Sequence, residues 1–212
     1  MRTQVLAPIT ASTFLHAADV LRHGGVVALP TDTVYGIAAR INQPEAIRSL
    51  FIIKGRASEK AIAVLLAGVE ELDSVAIEIP AAARGLAGFF WPGGLTLILH
   101  RNPDLPREIS QSETIGLRVP DHPIALELLR ETGPLAVTSA NLSGEPNSLN
   151  AADVRESLDG RIPLIIDGGT VPGGLPSTVY DCTVVPPSVR RSGPVSQEEI
   201  DMVLTRLPSP QA

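Results

Sequence analysis

The sequence contains little cysteine and few aromatic residues, and both shortages restrict what the protein can do. Cys182 is the only cysteine among 212 residues, which excludes an intramolecular disulfide, CxxC redox chemistry and a cysteine-rich zinc site. Aromatic residues make up 3% of the chain, too few for a sheet of base-stacking rings. The formal net charge of −6 also argues against a generic nucleic-acid binder, although a local basic groove is compatible with it.

No segment predicts a membrane span or an export signal. The longest uncharged apolar run, Ala61 to Val69, is far shorter than the ~20 residues that cross a bilayer. The N-terminus lacks an apolar stretch that ends in a small-residue cleavage site. With 44% hydrophobic residues the chain can build a packed core. We therefore expect a cytoplasmic protein with a single domain over residues 1–206 and a flexible tail over 207–212.

Apolar periodicity predicts helices and strands that largely alternate. Helices are predicted from a cap at Ser12 to Arg22, from Pro44 to Ile53, over 80–90 and 123–130, over 151–158 after a cap at Asn150, and from Ser196 onward. Strands are predicted over 26–29, 61–66, 95–99, 114–119, 135–138, 164–166 and 178–185. Strands follow one another within 95–119 and again after 164. We therefore expect an α/β fold with a mixed parallel and antiparallel sheet rather than a purely parallel one.

Several familiar catalytic motifs are missing. The chain has no phosphate-binding loop of the GxxxxGK[ST] type, no GxGxxG after a strand and no GxSxG around a serine. Its four histidines are scattered and show no metal-ligand spacing. Catalysis by a histidine acid–base or a cysteine nucleophile is therefore not expected.

Polar clusters instead follow several of the predicted strands. They read PTDTVYG over 30–36, KGRASEK over 54–60, TSANLSG over 138–144 and PSTVYD over 176–181, with Arg118 on a strand and a pair of arginines at 190–191. Each cluster alone is explained as a turn or a helix end. Together they bring hydroxyl, amide and cationic groups to strand ends, where α/β sheets bind ligands. This set is typical of a phosphate-bearing ligand held beside a small hydroxylated or zwitterionic substrate.

The motifs PTDTVYG, KGR, GLRVP, TSANLSG and PSTVYD, in this order and at this spacing, resemble those of a known family. From about Leu15 to Gly193 the chain is similar to the YrdC/Sua5 (TsaC) family of L-threonylcarbamoyladenylate synthases. The resemblance implies a twisted mixed sheet with flanking helices around a large concave cationic cavity. It also implies a nucleotidyltransferase that makes threonylcarbamoyl-AMP and pyrophosphate from ATP, L-threonine and bicarbonate, with Mg²⁺ assisting. TsaD-type machinery would use this product to form threonylcarbamoyladenosine in tRNAs that read ANN codons.

The resemblance also assigns roles to individual residues. The family's catalytic tetrad falls on Lys54, Arg56, Ser139 and Asn141, and the first two are expected to grip the triphosphate. Nucleotide contacts are expected from Arg56, Lys60, Thr114, the backbone of Ala140, Ser148 and Arg191. Threonine contacts are expected from Thr33, Arg118, Thr138 and Ser177, with Arg118 pairing with the carboxylate of the amino acid. No direct protein ligand to the metal is expected.

The sequence departs from the family pattern at a few positions. Many relatives carry proline where Ala57 and Ala61 stand, and some carry histidine where Leu65 stands. The chain also stops soon after Gly193, whereas long members of the family continue into a second domain. We therefore expect the short, single-domain type.

Two alternatives share this fold. A non-catalytic module would bind double-stranded RNA or tRNA in the cavity, with an affinity that collapses between low and moderate salt and without nucleotide turnover. Carbamoyl-adenylate chemistry of the hydrogenase-maturation kind would accept carbamoyl phosphate in place of threonine and bicarbonate. That assembly carries cysteine-rich zinc modules, which a chain with one cysteine does not provide.

Overall fold

The computed structural model describes residues 2–57 and 61–207. Its strands are β1 (Gln4–Leu6), β2 (Val27–Leu29), β3 (Gly36–Arg40), β4 (Ala63–Leu65), β5 (Ala76–Ile77), β6 (Leu95–Arg101), β7 (Thr114–Arg118), β8 (Leu135–Ser139), β9 (Leu164–Ile166), β10 (Thr178–Asp181) and β11 (Ser188–Arg191). Its α-helices are α1 (Ala11–Arg22), α2 (Pro44–Lys54), α3 (Leu72–Val75), α4 (Ala81–Phe90), α5 (Pro123–Thr132), α6 (Ala151–Leu158) and α7 (Gln197–Arg206).

The strands form one mixed sheet, as the sequence predicts. Their order is β1-β9-β2-β3-β8-β4-β7-β6-β10-β11, and β5 pairs with β6 beside this path. Strand β9 is parallel to both of its neighbours, and the pairs β4–β7 and β6–β10 are also parallel. The pairs β2–β3, β3–β8, β8–β4, β7–β6 and β10–β11 are antiparallel. The consecutive strands predicted within 95–119 are the antiparallel pair β6–β7.

Helices pack on both faces of the sheet because its strands are buried on both sides. On one face, α1 and α5 contribute Leu21 and Leu129 to a cluster that reaches from β9 across to Leu65 of β4. On the other face, residues of α2, α4, α6 and α7 form the larger core. Each fully buried leucine in these clusters contributes about 1.5–3 kcal/mol relative to an exposed one. Leu65 and Val137, which belong to the cluster beneath α1 and α5, also line a cavity on this face of the sheet.

The predicted helix boundaries are mostly confirmed. Helix α2 begins at Pro44, and Gly55 follows its last residue in the left-handed conformation with φ 58°. Asn150 caps α6 by accepting a hydrogen bond from the Asp153 amide at 2.9 Å. The prediction for α1 is wrong in detail, because Thr10 rather than Ser12 precedes its first residue.

The strand predictions differ most from the structure at one strand that was predicted too long and at four strands that were not predicted. The strand predicted over 178–185 ends at Asp181. The reason is local, because the Asp181 carboxylate accepts hydrogen bonds from the amide and hydroxyl of Thr183 and turns the chain there. Strands β1, β3, β5 and β11 were not predicted from the apolar pattern. Strand β3 contains Ala38 and Ala39, which have weak strand preference, and its conformation is set by pairing with β2 and β8.

The described helices include none that is long and apolar enough to cross a membrane. Residues 208–212 of the predicted flexible tail lie outside the described residues. Leu207, the first residue of that predicted tail, lies against Gly85 of α4, where an added Cβ would stand 2.4 Å from its Cδ1.

The loop between β9 and β10 closes tightly over the turn that follows β2. The Gly174 amide donates to the carbonyl of Thr33 at 3.0 Å. The hydroxyl of buried Tyr35 donates to the carbonyl of Gly169 at 2.7 Å and accepts from the amide of Gly168 at 3.1 Å. Burial raises the pKa of Tyr35 to about 12, so this hydroxyl stays neutral at physiological pH.

Gly173→Ala is expected to destabilise the protein by about 1–3 kcal/mol, because overpacking forces the backbone to shift. An added Cβ at Gly173 would stand 1.9 Å from the carbonyl oxygen of Thr33. The matched control is Gly88→Ala in α4, where an added Cβ meets nothing within 4 Å and helix propensity favours alanine. Urea unfolding of both variants checks this. Equal stability of the two variants would contradict the close approach.

Candidate functional site

A cavity of about 330 Å³ lies on the face of the sheet that also carries α1 and α5. Side chains alternate between faces along a strand, so residues two apart line the same side. Most strand positions that line the cavity follow this spacing: Ala63 and Leu65, Thr96 and Ile98, Thr114, Gly116 and Arg118, and Val137 and Ser139. Ile115 and Thr138 line it as well. The cavity floor is therefore formed by β4, β6, β7 and β8, with β10 and β11 at one side.

Strand register brings distant polar residues into one row across this floor. Arg118 of β7 pairs with Leu65 of β4. In the neighbouring strands, Val179 pairs with both Thr96 and Arg191. Arg118 and Arg191 both line the cavity, although they come from different motifs.

Three arginines, Arg56, Arg118 and Arg191, line the cavity. Among the described residues that line it there is no carboxylate, histidine or cysteine. Arg191 is exposed at the rim, and its pKa is lowered by partial burial of the guanidinium and by the charges of Arg118 and Arg56. Arg191 therefore lies close enough to both other guanidinium groups to respond to their charges, and this concentration of positive charge favours an anionic ligand.

Arg118 is held in place by three hydrogen bonds. Its Nε donates to the carbonyl of Gly93 at 2.8 Å, its Nη1 to the hydroxyl of Thr33 at 2.9 Å, and its Nη2 to Asp32 Oδ1 at 2.6 Å. The residue is 5% exposed. Burial lowers the pKa of Arg118, and the charge of Asp32 opposes that shift. The guanidinium is therefore a fixed, paired cation at the wall of the cavity.

The hydroxyl of Ser177 belongs to a second bonded group. It lies 2.8 Å from the hydroxyl of Thr96 and accepts from Nη2 of Arg191 at 3.2 Å. Nε and Nη2 of Arg191 also donate to the carbonyl of Ser177, at 3.1 and 2.9 Å. Gly193 permits this close packing, because an added Cβ there would lie 2.4 Å from the carbonyl oxygen of Pro176. The motif PSTVYD is thus tied directly to Arg191.

Lys54 lies behind the cavity wall rather than in it. The residue is 3% exposed. Its ammonium donates to the carbonyl and hydroxyl of Ser139, at 2.5 and 3.2 Å, and to the carbonyl and Oδ1 of Asn141, at 2.6 and 3.1 Å. An ammonium has three N–H donors, so these four acceptors occupy all of them. These contacts fix the turn that presents Ser139, and the expected grip of Lys54 on the triphosphate stays a prediction.

The buried ammonium of Lys54 makes stability depend on pH. Burial, and then the charge of Arg56, lowers the pKa of Lys54 from 10.5 to about 8. Between these values the unfolded chain binds more protons than the folded one, so the free energy of unfolding rises with pH. We will compare the free energy of unfolding of the wild type with that of Lys54→Met, both measured with urea. We expect the difference, wild type minus variant, to increase from pH 8 to 10.5. A difference that is flat or falls over this range would show that the ammonium is not buried as described.

The other predicted residues separate into two groups. Thr33, Thr114, Thr138 and Ser139 line the cavity together with Arg56, Arg118, Ser177 and Arg191. Ala140, Asn141 and Ser148 are buried and do not line it. The Ala140 amide donates to the Tyr35 carbonyl at 2.8 Å, and the Ala140 carbonyl accepts from the Ser148 hydroxyl at 2.6 Å. Both backbone groups of Ala140 are thus used within the protein, and Lys60 lies outside the described residues.

Sequence reasoning missed four polar residues at or beside the cavity. Thr31, Thr96 and Asn147 line it, and Asp32 binds Arg118 from the side. Thr31 and Asp32 belong to the PTDTVYG motif. Both residue types are common in turns, so the motif alone gave no reason to assign them to a ligand site. The signal for Thr96 was its place in an apolar strand, where a polar residue needs a partner, and that partner is Ser177.

Comparison with known proteins identifies the family. A family model named Sua5_yciO_yrdC and described as "Telomere recombination" matches residues 19–193. The threonylcarbamoyl-AMP synthase of Bacillus subtilis (strain 168) is 43% identical over 191 residues, which is 89% of this chain and 55% of that protein. This chain therefore spans about half the length of that relative.

Solved structures agree with this comparison. The crystal structure of P. abyssi Sua5 complexed with L-threonine matches with a TM-score of 0.92 and 39% identity, over 95% of this chain and 61% of that one. The crystal structure of E. coli YciO matches with a TM-score of 0.85 and 28% identity, over 93% of this chain and 99% of that one. The resemblance seen in the sequence motifs is confirmed, and the chain belongs to the Sua5/YciO/YrdC family.

Proposed function

We propose that this protein is a threonylcarbamoyl-AMP synthase. It would join ATP, L-threonine and bicarbonate to give threonylcarbamoyl-AMP and pyrophosphate. Relatives with that name, and the P. abyssi Sua5 structure complexed with L-threonine, support the proposal. The product would be passed to TsaD-type machinery that modifies tRNAs that read ANN codons.

The observation that carries the proposal is the lining of the cavity. Arg56, Arg118 and Arg191 surround it, and the hydroxyls of Thr33 and Ser177 stand beside two of them. Clustered guanidinium groups suit a triphosphate, whereas short hydroxyl side chains suit a small amino acid. No carboxylate, histidine or cysteine lines the described part of the cavity, and we propose that catalysis proceeds by positioning and charge stabilisation.

In the proposed first step the neutral amine nitrogen of threonine attacks the carbon of CO₂ and loses a proton to solvent, or attacks bicarbonate with loss of water, and a carbamate forms. Arg118 would hold the threonine carboxylate, because its guanidinium is fixed at the wall and keeps N–H groups for a further anion. A carbamate oxygen then attacks the α-phosphorus in line, and the bond to the β-phosphate oxygen breaks as pyrophosphate leaves. Arg56 and Arg191 would stabilise the negative charge on the nucleotide during this step.

Magnesium would enter bound to the nucleotide. Within residues 2–57 and 61–207 no group of three or more histidine, cysteine or acidic side chains could hold a metal ion. The nearby carboxylate of Asp32 is already paired with Arg118. This donor set fits an ion held by triphosphate oxygens, which neutralises part of their charge. We therefore treat Mg·ATP as the substrate.

Pyrophosphate release from Mg·ATP tests the proposed function. We expect release by the purified protein only when L-threonine and bicarbonate are both present, with threonylcarbamoyl-AMP detected by mass spectrometry. Equal pyrophosphate release when L-threonine or bicarbonate is omitted would show that the protein only hydrolyses ATP. Release supported by carbamoyl phosphate instead would favour hydrogenase-maturation chemistry. Salt-sensitive binding of tRNA or double-stranded RNA without any turnover would favour the non-catalytic alternative.

A further inference from the structure

Asp32 lies beside the cavity and connects two of the segments that form it. Its side chain is 18% exposed and is absent from the cavity lining, although Thr31 and Thr33 on either side line the cavity. Oδ1 of Asp32 accepts from Nη2 of Arg118 at 2.6 Å and from the backbone amide of Asp121 at 3.1 Å. One carboxylate therefore joins the turn after β2 to the end of β7 and the residues that follow it.

These contacts fix the orientation of Arg118. A guanidinium carries five N–H donors in a rigid plane. Within the described residues, Gly93, Thr33 and Asp32 each take one donor, on Nε, Nη1 and Nη2 respectively. These three bonds use three of the five donors, and a guanidinium at the cavity wall with N–H groups left over can donate to a carboxylate. Because the three acceptors come from three separate segments, the plane of the guanidinium cannot rotate without breaking one of these bonds.

Asp32 also provides the charge that keeps Arg118 paired in its buried position. Arg118 is 5% exposed and lies close enough to Arg191 for its charge to lower the pKa of that residue. Removing one partner of a buried ion pair leaves the other charge uncompensated. Without Asp32, the guanidinium would lose both an acceptor and the negative charge paired with it, and only its bonds to Gly93 and Thr33 would hold its plane.

We propose that Asp32 is a positioning residue for the amino-acid substrate: it holds Arg118 in the orientation that receives the substrate carboxylate, without touching the substrate itself. The proposal rests on the proposed function, because that function makes an amino acid the ligand of Arg118. It predicts that the loss of Asp32 acts on the amino acid and not on the nucleotide.

Calorimetric titration of the full-length protein tests this, with L-threonine and Mg·ATP measured separately. Asp32→Ala removes both acceptor contacts, and we expect it to weaken threonine binding by about tenfold or more, the effect of losing a charge-assisted hydrogen bond. Asp32→Asn keeps the shape and an acceptor oxygen but not the charge, so an intermediate loss is expected. Binding of Mg·ATP should be unchanged in both variants. The matched control is Asp73→Ala, which breaks an exposed ion pair with Arg84 and should change neither affinity.

Several results would overturn the proposal. Unchanged threonine binding in Asp32→Ala or Asp32→Asn would do so, and so would an equal loss of threonine and Mg·ATP affinity, which indicates a general collapse of the site. If Asp32→Ala does not fold, the isosteric Asp32→Asn variant decides the question. A fall in kcat with threonine affinity intact would assign Asp32 to proton transfer instead. If the wild type binds no threonine, both the proposed function and this proposal fail. If the wild type binds threonine and both Asp32 variants bind it equally well, only the role of Asp32 is excluded.

Discussion

Arg56→Ala is expected to reduce pyrophosphate release by about 10²–10³-fold while the protein remains folded, an effect typical of removing one charged or oxyanion-stabilising donor. Arg56 follows the C-terminus of α2, is half-buried and lines the cavity. Its Nη2 donates to the carbonyl of Ala61 at 3.0 Å, which holds it beside β4. Burial and, in addition, the charge of Arg56 lower the pKa values of Lys54 and Arg191, so Arg56 lies near both.

Steady-state kinetics with matched unfolding curves check this result. Arg84→Ala is the control, because Arg84 is an exposed arginine whose ion pair with Asp73 lies outside the cavity lining. We expect normal turnover in the control and normal stability in both variants. If Arg56→Ala released pyrophosphate as fast as Arg84→Ala, the triphosphate would have to bind away from Arg56.

Arg118→Ala is expected to abolish measurable threonine binding and also to destabilise the fold. The variant leaves Asp32, which is largely buried, without its cation, and breaking a buried pair in this way costs about 3–5 kcal/mol. Arg118→Lys separates the two effects. A lysine keeps the charge but has only three N–H donors. It cannot donate to Gly93, Thr33 and Asp32 and also donate to the carboxylate of a ligand.

For Arg118→Lys we therefore expect a smaller loss of unfolding free energy than for the alanine variant, together with threonine binding weakened by about tenfold or more. Urea unfolding measures the first effect and calorimetric titration with L-threonine the second. Wild-type threonine affinity in the lysine variant would mean that the fork of Arg118 does not receive the amino acid.

Much of the fold could be predicted because local signals and tertiary structure agree. Helix α2 begins at Pro44 and is followed by Gly55, and α6 follows its cap at Asn150, as predicted. Strand β9 has the predicted bounds, 164–166. Strand β3 has no comparable signal, since its glycine and alanines fit a loop equally well. Only its antiparallel neighbours, β2 and β8, determine that it is a strand.

Residues of the candidate site could be predicted when they belong to a motif that lines the cavity. Contacts between residues that are distant in the sequence could not be predicted. Thr33, Arg56, Arg118, Ser177 and Arg191 line one cavity, as their shared chemistry suggested. The sequence gives no indication that Lys54 points inward, because the acceptors that surround it lie 85 to 87 positions away. The pairing of Thr96 with Ser177, 81 positions apart, depends in the same way on the parallel register of β6 and β10.

A crystal structure of the protein with L-threonine and a non-hydrolysable ATP analogue tests the central claim most directly. We expect both ligands in the single cavity on the sheet, with the amino-acid carboxylate on Arg118 and the phosphate groups beside Arg56 and Arg191. The α-phosphorus should face the threonine nitrogen with room for one carboxyl group between them. Ligands bound at separate surfaces, or a nucleotide that contacts none of the three arginines, would contradict the account.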